Sequence, residues 1–114
     1  MAPNHFAGEW IAAWNSHDLQ RILSHYAEGF EMSSPYIPIL MGSTSGTLVG
    51  KTAVGSYWGR AMRRFPDLRF ELRFTCVGTD SMAIHYLGVH GRRSIEVLTF
   101  DDQHLVSHAT AHYD

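Results

Sequence analysis

Phe6, Trp10, Ala13 and Trp14 recur at spacings of three and four, the apolar stripe of an amphipathic helix. Asn15-Ser16-His17-Asp18 interrupts it, and Ser16 or Asp18 can cap a second helix. In that helix Leu19, Ile22, Leu23, Tyr26 and Ala27 form the stripe, with Gly29 as the stop. Phe30-Glu31-Met32-Ser33-Ser34-Pro35-Tyr36 alternates and predicts a short strand ended by Pro35. Residues 37–49 read as a loop rich in Gly, Ser and Thr. Ile37, Ile39, Leu40 and Met41 make it unusually apolar, as in a loop that closes over something. A third helix follows Gly50, with Val54, Tyr57, Trp58, Ala61, Met62 and Phe65 as its stripe and Pro66 as its stop.

From there the period changes to two. Leu68, Phe70, Leu72, Phe74 and Cys76 alternate with Arg69, Glu71, Arg73 and Thr75, a strand with one apolar side. Gly78-Thr79-Asp80 turns into a strand over 81–89, His90-Gly91 into one over 92–100, and Asp101-Asp102-Gln103 into one over 104–113. Three helices first and a meander last predict one α+β domain over residues 1–114. Its helices should pack on one face of a curved antiparallel sheet.

The composition narrows the class. With 45% hydrophobic and 18% charged residues in 114, the chain reads as an ordinary globular domain with a sizeable core. A formal charge of -2 gives no electrostatic case for nucleic acid or an anionic membrane. No run of about 18 apolar residues is present to span a bilayer. Residues 1–6 lack the basic and apolar pattern of a signal peptide. The single cysteine, Cys76, cannot form an intrachain disulfide, which suits a reducing cytoplasm.

Glu96 is the residue that departs from its surroundings. It lies in Arg93-Ser94-Ile95-Glu96-Val97-Leu98-Thr99-Phe100, a run that reads as an interior strand. A buried carboxylate costs several kcal/mol unless it is paired, hydrogen-bonded or protonated, so Glu96 either faces solvent or serves a pocket. If His90 and Gly91 are the central pair of a two-residue hairpin, Leu87 opposes Ser94, His85 opposes Glu96 and Ala83 opposes Leu98. Opposed side chains lie about 5 Å apart, so His85 and Glu96 could share a proton. A turn of odd length would break that pairing, and a solvated pair that only tunes stability is the alternative.

Other patterns carry less. Gly46 to Thr52 imitates a phosphate-binding loop but is one residue short, because Ser45 stands where the motif needs glycine. His104, His108 and His112 recur every four residues. On a strand that spacing covers about 13 Å, too far for one metal ion, so they read as an outward sheet face and no metal site is expected. Arg92 and Arg93 at the hairpin read as solvated, with an anion site as the sharper option. Cys76 reads as a small buried hydrophobe.

Trp14-Asn15-Ser16-His17-Asp18-Leu19, Tyr26-Ala27-Glu28-Gly29-Phe30-Glu31, Gly50-Lys51-Thr52-Ala53-Val54, Phe100-Asp101 and Ala111-His112-Tyr113 share order and spacing with a known group. Through them nearly the whole chain resembles the nuclear transport factor 2-like superfamily, in its SnoaL-like branch of polyketide cyclases and ketosteroid isomerases. The resemblance implies a cone-shaped α+β barrel. It also implies general acid/base chemistry without metal or organic cofactor on a small hydrophobic carbonyl, epoxide or polyketide-like substrate.

Position by position, the family's last-strand acid falls on Glu96, its base on Ser34 and its first-helix tyrosine on Trp10. Serine is no base unaided and an indole N–H only donates, so ordinary ketosteroid isomerase chemistry is not expected. Glu96 would be the acid/base and His85 its partner. The matching cavity for a small apolar or aromatic ligand would be lined by Trp10, Trp14, Tyr26, Met32, Ser34, Tyr36, Tyr57, Trp58, Met62, Phe74 and Tyr113. The alternative is a non-catalytic ligand-binding or dimerisation module. A homodimer is expected in either case. Ile84, Tyr86, Ile95, Val97, Val106, His108, Thr110 and His112 make one face of the meander too apolar for a bare surface, and similar proteins pair through that side.

Overall fold

The computed structural model describes residues 3–114. Met1 and Ala2, part of the segment tested above for a signal peptide, lie outside the described residues. Helix α1 (Pro3–Ser16) buries Phe6, Ala7, Trp10, Ala13 and Trp14. It ends where His17 takes a left-handed conformation at φ 58°. Asp18 then caps the short α2 (Leu19–Leu23) by accepting the Arg21 N–H. Arg21 also clamps α2 to α1 through a two-pronged contact with Glu9, which His25 approaches to 3.0 Å.

Tyr26 belongs to β1 (Tyr26–Ser33) and not to the second helix predicted above. Its inward residues are Tyr26, Phe30 and Met32. Glu28 between the first two is exposed where the pairing with β6 shifts, which leaves buried residues four apart, a spacing that imitates a helix. Residues 37–49 are more ordered than predicted. Tyr36–Met41 is a helical turn, α3, closed by Gly42 at φ 67°, and β2 (Thr47–Val49) pairs with β1. Helix α4 (Lys51–Arg64) follows Gly50, whose φ of 90° suits glycine and whose N–H donates to Phe30 O.

The remaining strands are β3 (Glu71–Val77), β4 (Ser81–Leu87), β5 (Arg93–Phe100) and β6 (Val106–Tyr113). The sheet runs β2-β1-β6-β5-β4-β3. It is mixed rather than wholly antiparallel, because β1 and β6 run parallel. The fold is thus α+β with four helices, one more than predicted. No helix among the described residues is long and apolar enough to cross a membrane.

Facing is set by register. Ile84, Glu96 and Ala111 form one inward rung, and Tyr86, Ser94 and Tyr113 the next. Phe74, His85, Ile95 and His112 form an outward rung. Ile84, Tyr86 and Val106, assigned above to the outer face, are therefore core residues. Between Leu72 and Phe74 the β3–β4 register slips by one residue, which turns Phe74 and Cys76 outward. Phe74 is 57% exposed and Cys76 is exposed, where strict alternation had buried both. His104 lies in the β5–β6 turn at φ 63°, so only His108 and His112 reach the outer face.

Candidate functional site

Glu96 sits in the middle of β5, inside the cone and 4% exposed. The connection from β4 to β5 decides its neighbours. It contains five residues, 88–92, and pairs Leu87 with Arg93. That odd length places Ile84 opposite Glu96 and His85 opposite Ile95, on the far face of the sheet. His85 packs against Phe74 there, with ring centroids 4.6 Å apart and the planes tilted by 58°. The expected His85–Glu96 pair does not exist.

The partner of Glu96 is Tyr86, whose hydroxyl donates to Oε1 at 3.1 Å. Burial pushes the Glu96 carboxyl up to about 7, although the Tyr86 hydrogen bond pulls the other way. Tyr26, Tyr57, Tyr86 and Tyr113 are all raised, first by burial, with the negative charge of Glu96 contributing at each. Four phenols that stay protonated therefore surround one carboxyl that titrates near neutrality. Tyr86→Phe removes the one force that lowers the Glu96 pKa. A carboxyl-carbon NMR titration should then show its midpoint moving above 7, and an unmoved midpoint would mean that the bond is unimportant.

A partly open cavity of about 470 Å³ reaches this carboxyl, a size suited to a small organic ligand. Of the predicted lining, Trp10, Trp14, Met32, Tyr36, Tyr57, Trp58 and Tyr113 border it together with Glu96. Four predicted residues lie elsewhere. Tyr26 is wholly buried behind the wall, accepting the Trp10 indole N–H at 2.9 Å. Ser34 is buried and accepts the Tyr57 hydroxyl at 3.0 Å, so it braces the lining from behind. Met62 packs against the core beside Ala61, which does border the cavity. Phe74 is on the outer face for the register reason given above.

Sequence reasoning missed Tyr86, Phe70, Phe65, Leu68, Leu40, Val89 and Arg92 as lining residues. Tyr86 and Ser94 would have followed from a five-residue turn, since period two then carries them to the face of Glu96. Arg92 carried only the anion-site option noted above for the hairpin, because its placement on the cavity depends on the loop conformation.

Residues 7–113 match the family model of the SnoaL-like domain. The crystal structure of a SnoaL-like protein of unknown function from Burkholderia thailandensis E264 is 54% identical. It superposes with a TM-score of 0.93, covering 97% of this chain and 92% of that one. A protein with a ketosteroid isomerase-like fold from Catenulispora acidiphila DSM 44928, solved with trimethylamine, gives a TM-score of 0.80 at 12% identity. The match covers 100% of this chain and 88% of that one. TerC, co-crystallised with polyporic acid, gives 0.78 at 16% identity, covering 99% and 92%. At such identities the last two share the fold alone. No curated protein matches this chain.

Proposed function

The chain belongs to the SnoaL-like domain family, and from that premise we propose a cofactor-independent acid/base enzyme for a small hydrophobic carbonyl, epoxide or polyketide-like substrate. The observation that carries the reading is a carboxyl raised to about 7 in the wall of a largely aromatic, partly open cavity. A group with that pKa is present in both forms at neutral pH, which suits it to give and take a proton within one turnover. Protonated, Glu96 donates a hydrogen bond to a substrate oxygen. Ionised, it accepts a proton from an activated C–H, with the Tyr86 hydroxyl holding the carboxylate in place.

Glu96 is the only carboxylate among the described residues that border the cavity. Ser34 stands where the related isomerases carry a base, and its hydroxyl is occupied with Tyr57. His90 also borders the cavity but is exposed and lies 3.3 Å from Asp67, so on this reading the same carboxyl removes a proton at one atom and returns it at another, as in an isomerisation or ring closure. Exchange of solvent deuterium into an enolisable aryl ketone such as 2-tetralone, followed by proton NMR, tests this. Wild type should accelerate exchange and Glu96→Gln should match the uncatalysed rate. Wild-type exchange at background while the ketone still binds would favour the alternative, a non-catalytic binding module.

We also propose that the outer sheet face joins two copies into an isologous dimer. Phe74 and Ile95 are 57% and 41% exposed there, side by side with His85. Light scattering at micromolar concentration should give about twice the 12.9 kDa of one chain, and a mass near 13 kDa would exclude the dimer.

A further inference from the structure

We infer that Arg92 makes the cavity mouth an anion-recognition point, so that the site takes flat, apolar acids: aromatic or conjugated molecules bearing one carboxylate, enolate or phenolate. This rests on the reading of the Glu96 cavity as a ligand site and narrows its substrate class.

The five-residue connection that misaligned His85 is what positions Arg92. His90 at φ 56° and Gly91 at φ 77° reverse the chain in a short span. Gly88 lies so close to the inward rung that a Cβ there would meet Ser94 Oγ at 3.0 Å and the Tyr86 ring at 3.4 Å. The Arg92 main chain is fixed on both sides. Its N–H donates to Val89 O, and its carbonyl accepts from Gly88 N at 2.7 Å and Ser94 Oγ at 3.1 Å. The side chain therefore departs from a rigid point on the cavity rim.

Two hydrogen bonds hold its guanidinium. Nη1 donates to the Tyr36 hydroxyl and Nε to the Asp114 main-chain oxygen at 2.9 Å. The guanidinium carbon lies 5.6 Å and 5.5 Å from the centroids of the Tyr36 and Tyr113 rings, which themselves meet edge-on at 4.8 Å. A guanidinium has five N–H groups, so these contacts leave three unspent.

The adjacent arginine differs: Arg93 donates to the Asp114 carboxylate at 2.6 Å, and Arg21 pairs with Glu9. No Asp or Glu side chain pairs with Arg92 among the described residues. Both tyrosines that steady it border the cavity, as Arg92 does itself. A planar cation with free donors, presented between aromatic faces, matches a carboxylate or enolate oxygen pair in geometry and charge. The walls behind it, Trp10, Trp14, Trp58 and Phe70, then accept the flat apolar body.

Calorimetric titration at pH 6 with 2-naphthoate and 2-naphthamide tests the inference, because the two probes differ mainly in charge. Wild type and Arg93→Gln should prefer the acid by about tenfold or more, the scale of a charge-assisted hydrogen bond. Arg92→Gln should bring the two probes to equal affinity, and Arg92→Lys should keep part of the preference. Equal affinities in wild type, or a preference that survives Arg92→Gln, would overturn the role of Arg92 while leaving a ligand cavity at Glu96. Failure of wild type to bind either probe at millimolar concentration would overturn both.

Discussion

Glu96→Gln is expected to be more stable than wild type at pH 8 and about equally stable at pH 4. The folded protein holds the Glu96 proton up to about 7, whereas the unfolded chain releases it near the ordinary value of 4.5. Between those values the folded state binds more protons, so stability must fall as pH rises. The contribution is fully present below 4.5 and is lost progressively as pH climbs through about 7. A displacement of this size corresponds to about 3 kcal/mol, since one unit is worth about 1.4 kcal/mol. Glutamine has the shape of the protonated acid and cannot ionise, so the variant should lack this slope. Urea denaturation midpoints of both proteins at pH 4 and pH 8 provide the check. Parallel pH dependence in the two would show that Glu96 is not a desolvated acid, and the functional proposal would lose its main support.

Trp10→Ala should come close to unfolding the protein. The indole is 1% exposed and packs against Trp14, Phe70 and Tyr86 with ring centroids 5.2 to 6.3 Å apart. Truncating a buried Trp costs about 3–5 kcal/mol. The change also strips the wholly buried Tyr26 hydroxyl of the N–H it accepts, worth about 1–3 kcal/mol more. Domains of this kind are stable by only about 5–15 kcal/mol. Trp10→Phe keeps most of the volume and should cost the hydrogen bond plus a smaller packing loss. Circular dichroism melts of the two variants separate packing from bonding, and a loss below about 1 kcal/mol in Trp10→Ala would contradict the assigned burial.

The cavity was legible in part. Trp10, Trp14, Tyr57 and Trp58 announce themselves through helical spacing, because a helix fixes which side chains share a face whatever it packs against. Strands are less forgiving. The slip at Arg73 exposed Phe74, and the shift within β1 disguised Tyr26 as the end of a helix. The slip in β3 inverts the alternation on which a period-two argument depends.

The chain's own pattern determined the α+β class, the places of α1 and α4, the order of the last four strands and the oddity of a glutamate in an apolar run. These follow from local periodicity and from the cost of burying a charge, both of which act within a few residues. Only the tertiary structure decided that Glu96 faces inward, that Tyr86 and not His85 touches it, and that Arg92 stands at the rim. All three depend on one quantity, the five-residue length and left-handed backbone of the connection between β4 and β5. The glycines of this loop suit tight turns of several lengths, so its composition constrains its length weakly, while a change of one residue reverses every facing beyond it.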